Sequence, residues 1–168
     1  MSRILVVDYS RTGNTHLVAK AIARGCGADL ERIRDVCSRS GLWGYIRSAR
    51  EAMKERPAEI RPPKHDPADY ELIVLGSPVW VGHVSSPMRR YLADNAGKFS
   101  RIAVFVSEGG RGGPKVLAEM AALAQRPPVA RLELRASELG DDLVYRLAAF
   151  VDRVRKAAAP APAKEKAA

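Results

Sequence analysis

Ile4-Leu5-Val6-Val7-Asp8-Tyr9-Ser10-Arg11-Thr12-Gly13-Asn14-Thr15 carries an apolar tetrapeptide into a hydroxyl-rich loop, and residues at helical spacing follow it: Leu17, Val18, Ala21 and Ile22. Strand, loop and helix in that order describe a phosphate cradle. Ser10, Thr12 and Thr15 offer hydroxyl donors, and Gly13 lets the backbone approach closely. The N–H groups from Arg11 through Asn14 to Thr15 open a helix at the positive end of its dipole. The loop lacks the Gly-Lys-Ser/Thr ending of a nucleoside-triphosphate loop and the three spaced glycines of a dinucleotide fingerprint. A dianionic phosphate is therefore expected there without a nucleotide motif. The plainer alternative is a strand-to-helix turn in which Asn and Thr only cap the helix.

The chain has 168 residues, a length that suits one domain with a proper core. Its hydrophobic and charged fractions, 46% and 28%, are those of an ordinary globular chain. No leader pattern and no apolar run of membrane-spanning length occurs, so the expectation is a cytoplasmic protein without a membrane partner. Cys26 and Cys37 lack the two-residue spacing of a redox or zinc pair and read as reduced thiols. His16, His65 and His83 share no ligand spacing, which leaves no metal site to expect. The net charge of +9 invites a nucleic-acid reading, but the cations are scattered among acids. The densest cluster, Arg47, Arg50, Lys54 and Arg56, lacks interleaved aromatics for base stacking. No nucleic acid is expected; a basic face that docks an acidic surface of a redox partner fits better.

Strand-length apolar runs recur at Ile4–Val7, Leu72–Leu75 and Ile102–Val106, nearly continuous, as in strands buried on both faces. Helical spacing separates them: Met88, Tyr91 and Leu92, then Val116, Leu117, Met120 and Leu123. Weaker strands fit at Asp29–Arg34 and Val129–Leu134. Alternation of this kind implies a five-stranded parallel sheet with right-handed crossovers. A last helix begins near Asp141-Asp142 and ends with Arg153, Arg155 and Lys156, so the domain is expected over 1–156. Residues 157–168 read as a disordered Ala/Pro/Lys tail. Residues 35–63 form an excursion after the second strand, with an amphipathic helix marked by Leu42, Tyr45, Ile46, Ala49 and Met53. It emerges at the carboxyl edge, where open α/β sheets bind ligands.

That edge also receives the end of the third strand, Gly76-Ser77-Pro78-Val79-Trp80-Val81-Gly82-His83, and the Gly-rich Ser107-Glu108-Gly109-Gly110-Arg111-Gly112-Gly113. With these two stretches and Ser10-x-Thr12-Gly13-Asn14-Thr15 in this order, the chain resembles the flavodoxin family over roughly residues 3 to 155. The resemblance implies an α/β, flavodoxin-like three-layer sandwich: a five-stranded parallel sheet in the order 2-1-3-4-5 with helices on both faces. It also implies flavin mononucleotide (FMN) at the carboxyl edge and redox chemistry. In those roles Ser10, Arg11, Thr12, Gly13, Asn14 and Thr15 take the phosphate. Ser77, Pro78, Val79 and Trp80 border the ring, with Trp80 stacked on one face. Gly82 and His83 reach the flavin edge, and Ser107, Gly109 and Gly110 present backbone groups to the pyrimidine edge. Trp43 and Tyr45 could add a lid from the excursion, or belong to the core. Asp8 stands alone where a phosphorelay receiver of similar topology would want paired acids.

Two departures from flavodoxins bear on function. Residues 107–114 contain no aromatic to cover the outer flavin face, and the chain is basic where electron-carrying flavodoxins are acidic. The open face suits an oxidoreductase that takes electrons from NAD(P)H, or from a reductase partner, and passes them to a flat substrate such as a quinone. The alternative is a non-catalytic carrier that shuttles electrons between proteins.

Overall fold

Each apolar run is long enough for a strand, and successive side chains of a strand point to opposite faces. In the computed structural model, which describes residues 3–36, 58–135 and 141–159, this alternation divides the core into two layers. The elements in chain order are β1 (Ile4–Asp8), α1 (Asn14–Cys26), β2 (Asp29–Arg32), a 3₁₀ turn (Pro67–Asp69), β3 (Leu72–Trp80), β4 (His83–Val84), α2 (Ser86–Asn95), β5 (Ile102–Glu108), α3 (Gly113–Leu123), β6 (Pro128–Arg135) and α4 (Asp141–Ala158). Ile4, Val6, Leu72, Val74, Ala103 and Phe105 pack with Ala19 and Ile22 of α1 and Phe150 and Val154 of α4. Leu5, Val7, Ile73, Leu75, Val104 and Val106 face the other way. They pack with Met88, Tyr91 and Leu92 of α2 and Val116 and Met120 of α3. Burial on both faces explains why the central strands read as unbroken apolar runs.

The sheet order is β2-β1-β3-β5-β6, and every neighbouring pair along that path is parallel. The five parallel strands thus stand in the expected 2-1-3-4-5 arrangement, with helices on both faces. The sixth strand was not expected. β4 pairs antiparallel with the end of β3, Val79 opposite Val84 and Trp80 opposite His83. Ser77 to Trp80, read from sequence as a turn, are instead the last four residues of β3. The ladder continues because Ser77 and Pro78 stay in register with Val106 and Ser107 of β5 before β4 takes over the pairing. Likewise Ser107 and Glu108 belong to β5, opposite Leu134 and Arg135 of β6, so the Gly-rich loop is shorter than the sequence suggested.

Gly76 sits where two neighbouring strands need space. It is in register with Phe105, and a Cβ placed on it would stand 2.1 Å from that ring. The excursion is closed at its neck by an Asp35–Ile60 bridge and by bonds from Val36 N to Glu59 O (3.2 Å) and Arg61 N to Arg34 O (2.8 Å). Trp43, Tyr45 and the basic cluster at 47–56 lie outside the described residues. At the other end α4 continues through Ala157 and Ala158, two residues that composition assigned to the tail, and Ala158 is buried against the α1–α4 layer. Residues 160–168 lie outside the described set. Among the described residues no helix is long and apolar enough to cross a membrane.

Candidate functional site at the carboxyl edge

The β1–α1 loop is shaped by its own atoms. Gly13 caps α1 at φ +102°, and its N–H donates to Ser10 Oγ at 3.0 Å, while its carbonyl receives Leu17 N at 2.9 Å. Ser10 Oγ accepts in that bond, which keeps its own proton as a donor. Asn14, Thr15 and His16 occupy the first turn, where backbone N–H groups have no intrahelical acceptor. Arg11 and Thr12 are exposed at the rim. Thr15 is buried, and its hydroxyl is 2.7 Å from Ser107 Oγ. That pair ties the β1–α1 loop to the end of β5 and accounts for the Ser107 side chain. Ser10, Thr12, Thr15 and the α1 N-terminus stand together at this turn, the groups that could hold a terminal phosphate.

Behind the loop Asp8 is fully buried, with His16 Nδ1 at 2.9 Å from Oδ1. Burial pushes the Asp8 carboxyl above its ordinary range. The His16 hydrogen bond and the charges of His16, Arg32 and Lys20 pull in the opposite direction without cancelling it. Arg32 also donates to the Ser10 carbonyl at 3.3 Å, placing a cation beside the cradle.

Trp80 and His83 are directly opposed across the β3–β4 hairpin and therefore share a face. Trp80 is half-buried and stands edge-on to Tyr9, with ring centroids 5.4 Å apart at 88°. Tyr9 donates to Asp35 at 2.7 Å, so the indole is braced by a residue two positions after the apolar run of β1. Ser77 is not presented to a ligand. It is fully buried, its Oγ is 3.0 Å from Ser85 Oγ and accepts from Ser85 N at 3.2 Å. It holds the hairpin base, a role invisible from its place in the Ser-Pro-Val-Trp stretch. Val79 packs partly against the α2–α3 layer, and Pro78 keeps the β3–β5 ladder. Of the residues expected around the ring, Trp80, Gly82 and His83 are placed at the hairpin end.

The third loop spans residues 109–112. Cβ atoms on Gly109 or Gly110 would meet nothing within 4 Å, whereas one on Gly112 would stand 3.1 Å from Gly82 Cα. The two loops touch at a pair of glycines, and open space lies beside the first two. The N-terminus of α3 is already occupied: Glu108 accepts from Gly113 N at 2.9 Å and from Arg135 Nε at 3.0 Å. No cluster of three or more His, Cys, Asp or Glu suited to a metal ion occurs among the described residues.

Tyr9, Glu108 and a further carboxylate, Glu119, stand at this edge and were passed over in the sequence, while Asp8 was weighed only as a lone acid. Position at the end of β1 was the available signal for Asp8 and Tyr9; Glu119 had none.

A parallel sheet in this order, with a hydroxyl-rich loop after β1 and an aromatic hairpin after β3, is a known arrangement. The fold is that of the flavodoxin-like flavoproteins. Over 79% of this chain and 93% of the other, it superimposes on a flavoprotein in complex with FMN from Lactobacillus acidophilus NCFM, at a TM-score of 0.69 and 19% identity. A flavodoxin, WrbA-like protein from Agrobacterium tumefaciens matches 94% of this chain and 98% of its own at a TM-score of 0.60 and 18% identity. Among curated sequences, an NAD(P)H dehydrogenase (quinone) from Archaeoglobus fulgidus is 35% identical over 104 residues, 55% of this chain and 50% of the relative. One from Rhizobium meliloti is 31% identical over 129 residues, 67% of this chain and 56% of the relative. This flavodoxin-like chain thus spans about half the length of the curated relatives it matches. No family model matches it.

Proposed function

We propose that this chain binds FMN at the carboxyl edge and acts as an oxidoreductase that takes electrons from NAD(P)H and delivers them to a quinone. The observation that carries the reading is the convergence at one edge of the β1–α1 cradle, the Trp80 hairpin and a glycine loop with open space beside Gly109 and Gly110. Bound FMN would supply a redox centre able to exchange two electrons with both partners. The chain's own part is to hold the phosphate with Ser10, Thr12, Thr15 and backbone N–H groups, and to lay Trp80 along one ring face. His83, on the same hairpin face as Trp80, adds a hydrogen-bonding side chain at the ring edge. The quinone dehydrogenases that share about a third of their aligned residues with this chain support the choice of nicotinamide and quinone.

Trp80 gives the first test. FMN titrated into apoprotein should quench tryptophan fluorescence; Trp80→Ala should abolish most of that quenching and weaken binding by about 0.5–1.5 kcal/mol beyond lost area. Trp43→Phe should preserve it. The second test is turnover. An uncovered ring face admits a nicotinamide to near-attack distance, about 3–3.5 Å, so NADH or NADPH should bleach the flavin absorbance in anaerobic stopped flow, and a quinone should restore it. If neither nucleotide bleaches a flavin that dithionite reduces readily, the protein is a carrier and not this enzyme.

A further inference from the structure

The β3–β4 turn holds Val81 at φ +51° and Gly82 at φ +74°. Positive φ at both central residues is the type I′ geometry that lets a two-residue turn follow the strand twist, and it suits Asn or Gly, not a β-branched residue. Val81 is 56% exposed, so burial of its own side chain offsets little of the cost of that backbone. A non-glycine residue in this region persists only where surrounding contacts over-determine it. β4 supplies little, being two residues long and paired only to β3.

Gly112 of the neighbouring loop touches Gly82, and Ser77–Ser85 closes the hairpin base; the side-chain support nearest the turn is a carboxylate from a distant helix. Glu119, on α3, accepts from Val84 N through Oε2 at 3.2 Å, and the same oxygen is 3.7 Å from His83 Nδ1. Its other oxygen is bound by the Arg89 guanidinium of α2. Lys115, one turn earlier on α3, places Nζ 3.5 Å from His83 Nε2. Glu119 therefore satisfies the outer edge of β4, which has no strand beyond it among the described residues, and is itself tethered to α2.

We propose that Glu119 is the positioning residue that holds the strained Val81–Gly82 turn, and with it Trp80 and His83, in the geometry offered to the cofactor. Its role toward the cofactor rests on the FMN reading above; its role as a latch does not. The test therefore has an apoprotein arm and a loaded arm. In apoprotein, Glu119→Ala should speed amide exchange at Val84 tenfold or more, while Glu119→Gln, which retains an acceptor oxygen, should keep most of the protection. In FMN-loaded protein, Glu119→Ala should shift the flavin midpoint potential and leave the preference for FMN over riboflavin unchanged, since the phosphate loop is untouched. Glycine adopts positive φ freely, so adding Val81→Gly should return the potential most of the way to that of the wild-type protein. Val84 exchange within twofold of wild type in Glu119→Ala would overturn the latch. A potential shift as large in the double variant as in the single would overturn the link to turn strain. Failure of wild-type protein to take up FMN would instead remove the proposed function, with the exchange result still deciding the latch.

Discussion

The β1–α1 loop and the β3–β4 hairpin stand at the same edge of the sheet and are built in opposite ways. The loop closes on itself: the bond from Gly13 N to Ser10 Oγ spans three residues, and the next, Leu17 N to Gly13 O, spans four. The hairpin is held from afar, by Glu119 thirty-five residues from Val84 and by Phe105 across the strand from Gly76. The loop takes its shape mainly from local bonds, with Thr15–Ser107 and Arg32–Ser10 as its ties to the sheet. The hairpin requires two strands, two helices and a third loop to agree on where one indole lies.

That contrast can be broken at Gly76. Gly76→Ala drives a methyl into the Phe105 ring, and overpacking of this kind costs about 3 kcal/mol. The expected outcome is a loss of several degrees in Tm, with displacement of the Trp80 strand, read by thermal unfolding and tryptophan emission. An unchanged Tm would mean that β3 and β5 separate easily and that the hairpin is less dependent on the sheet than its contacts imply.

The loop is sharpened by a smaller change. Thr12→Ala together with Thr15→Ala removes hydroxyl donors from a charged ligand, worth about 1.5–3 kcal/mol for each bond of this kind. FMN affinity measured by calorimetry should fall at least tenfold, while riboflavin, which has no phosphate, should lose little. Thr15→Ala alone also leaves Ser107 without its hydroxyl neighbour, so part of its effect should appear as lower stability of the apoprotein. Equal losses for FMN and riboflavin would move the phosphate elsewhere.

Asp8 supplies the smallest effect and a pH signature. Its carboxyl pKa is raised in the folded chain, burial being the largest cause. The native state then binds the proton more tightly than the unfolded state. The associated stability is full below the unfolded value of 3.8 and is lost as pH rises through the folded value. Asp8→Asn removes the buried charge and keeps a partner for His16. It should raise apoprotein stability at pH 7 by about 1 kcal/mol, and the gain should shrink as the solution is acidified toward pH 4. Urea unfolding across that range checks the sign; a gain that grew on acidification would show that the His16 pair dominates over burial.

The β1–α1 turn was legible because an apolar run, a hydroxyl-rich loop and helical spacing follow one another without a gap. The parallel strands were legible because burial on both faces leaves unbroken apolar runs. β4 was not: His83-Val84 is too short to show alternation, and Val81 is a residue that local preference keeps out of such a turn. Ser77 and Ser107 looked like ligand contacts because they neighbour Trp80 and the glycines in sequence. In the fold, pleating turns Ser77 inward to Ser85 and brings Ser107 beneath Thr15.

By itself the amino-acid sequence determined the α/β class, the strand order through its resemblance to flavodoxins, and the place of the strand-to-helix turn after β1. Each follows from short-range pattern: period-two burial, helical spacing, and donors clustered at a helix start. Only the tertiary structure decided how the carboxyl edge is held: the hairpin, the Tyr9–Trp80 brace, the Thr15–Ser107 tie and the carboxylate of Glu119 on β4. Those contacts join residues from 3 to 92 positions apart. Most of them depend on which way each side chain points once the sheet has twisted and the helices have docked, and that is not written in the order of the residues.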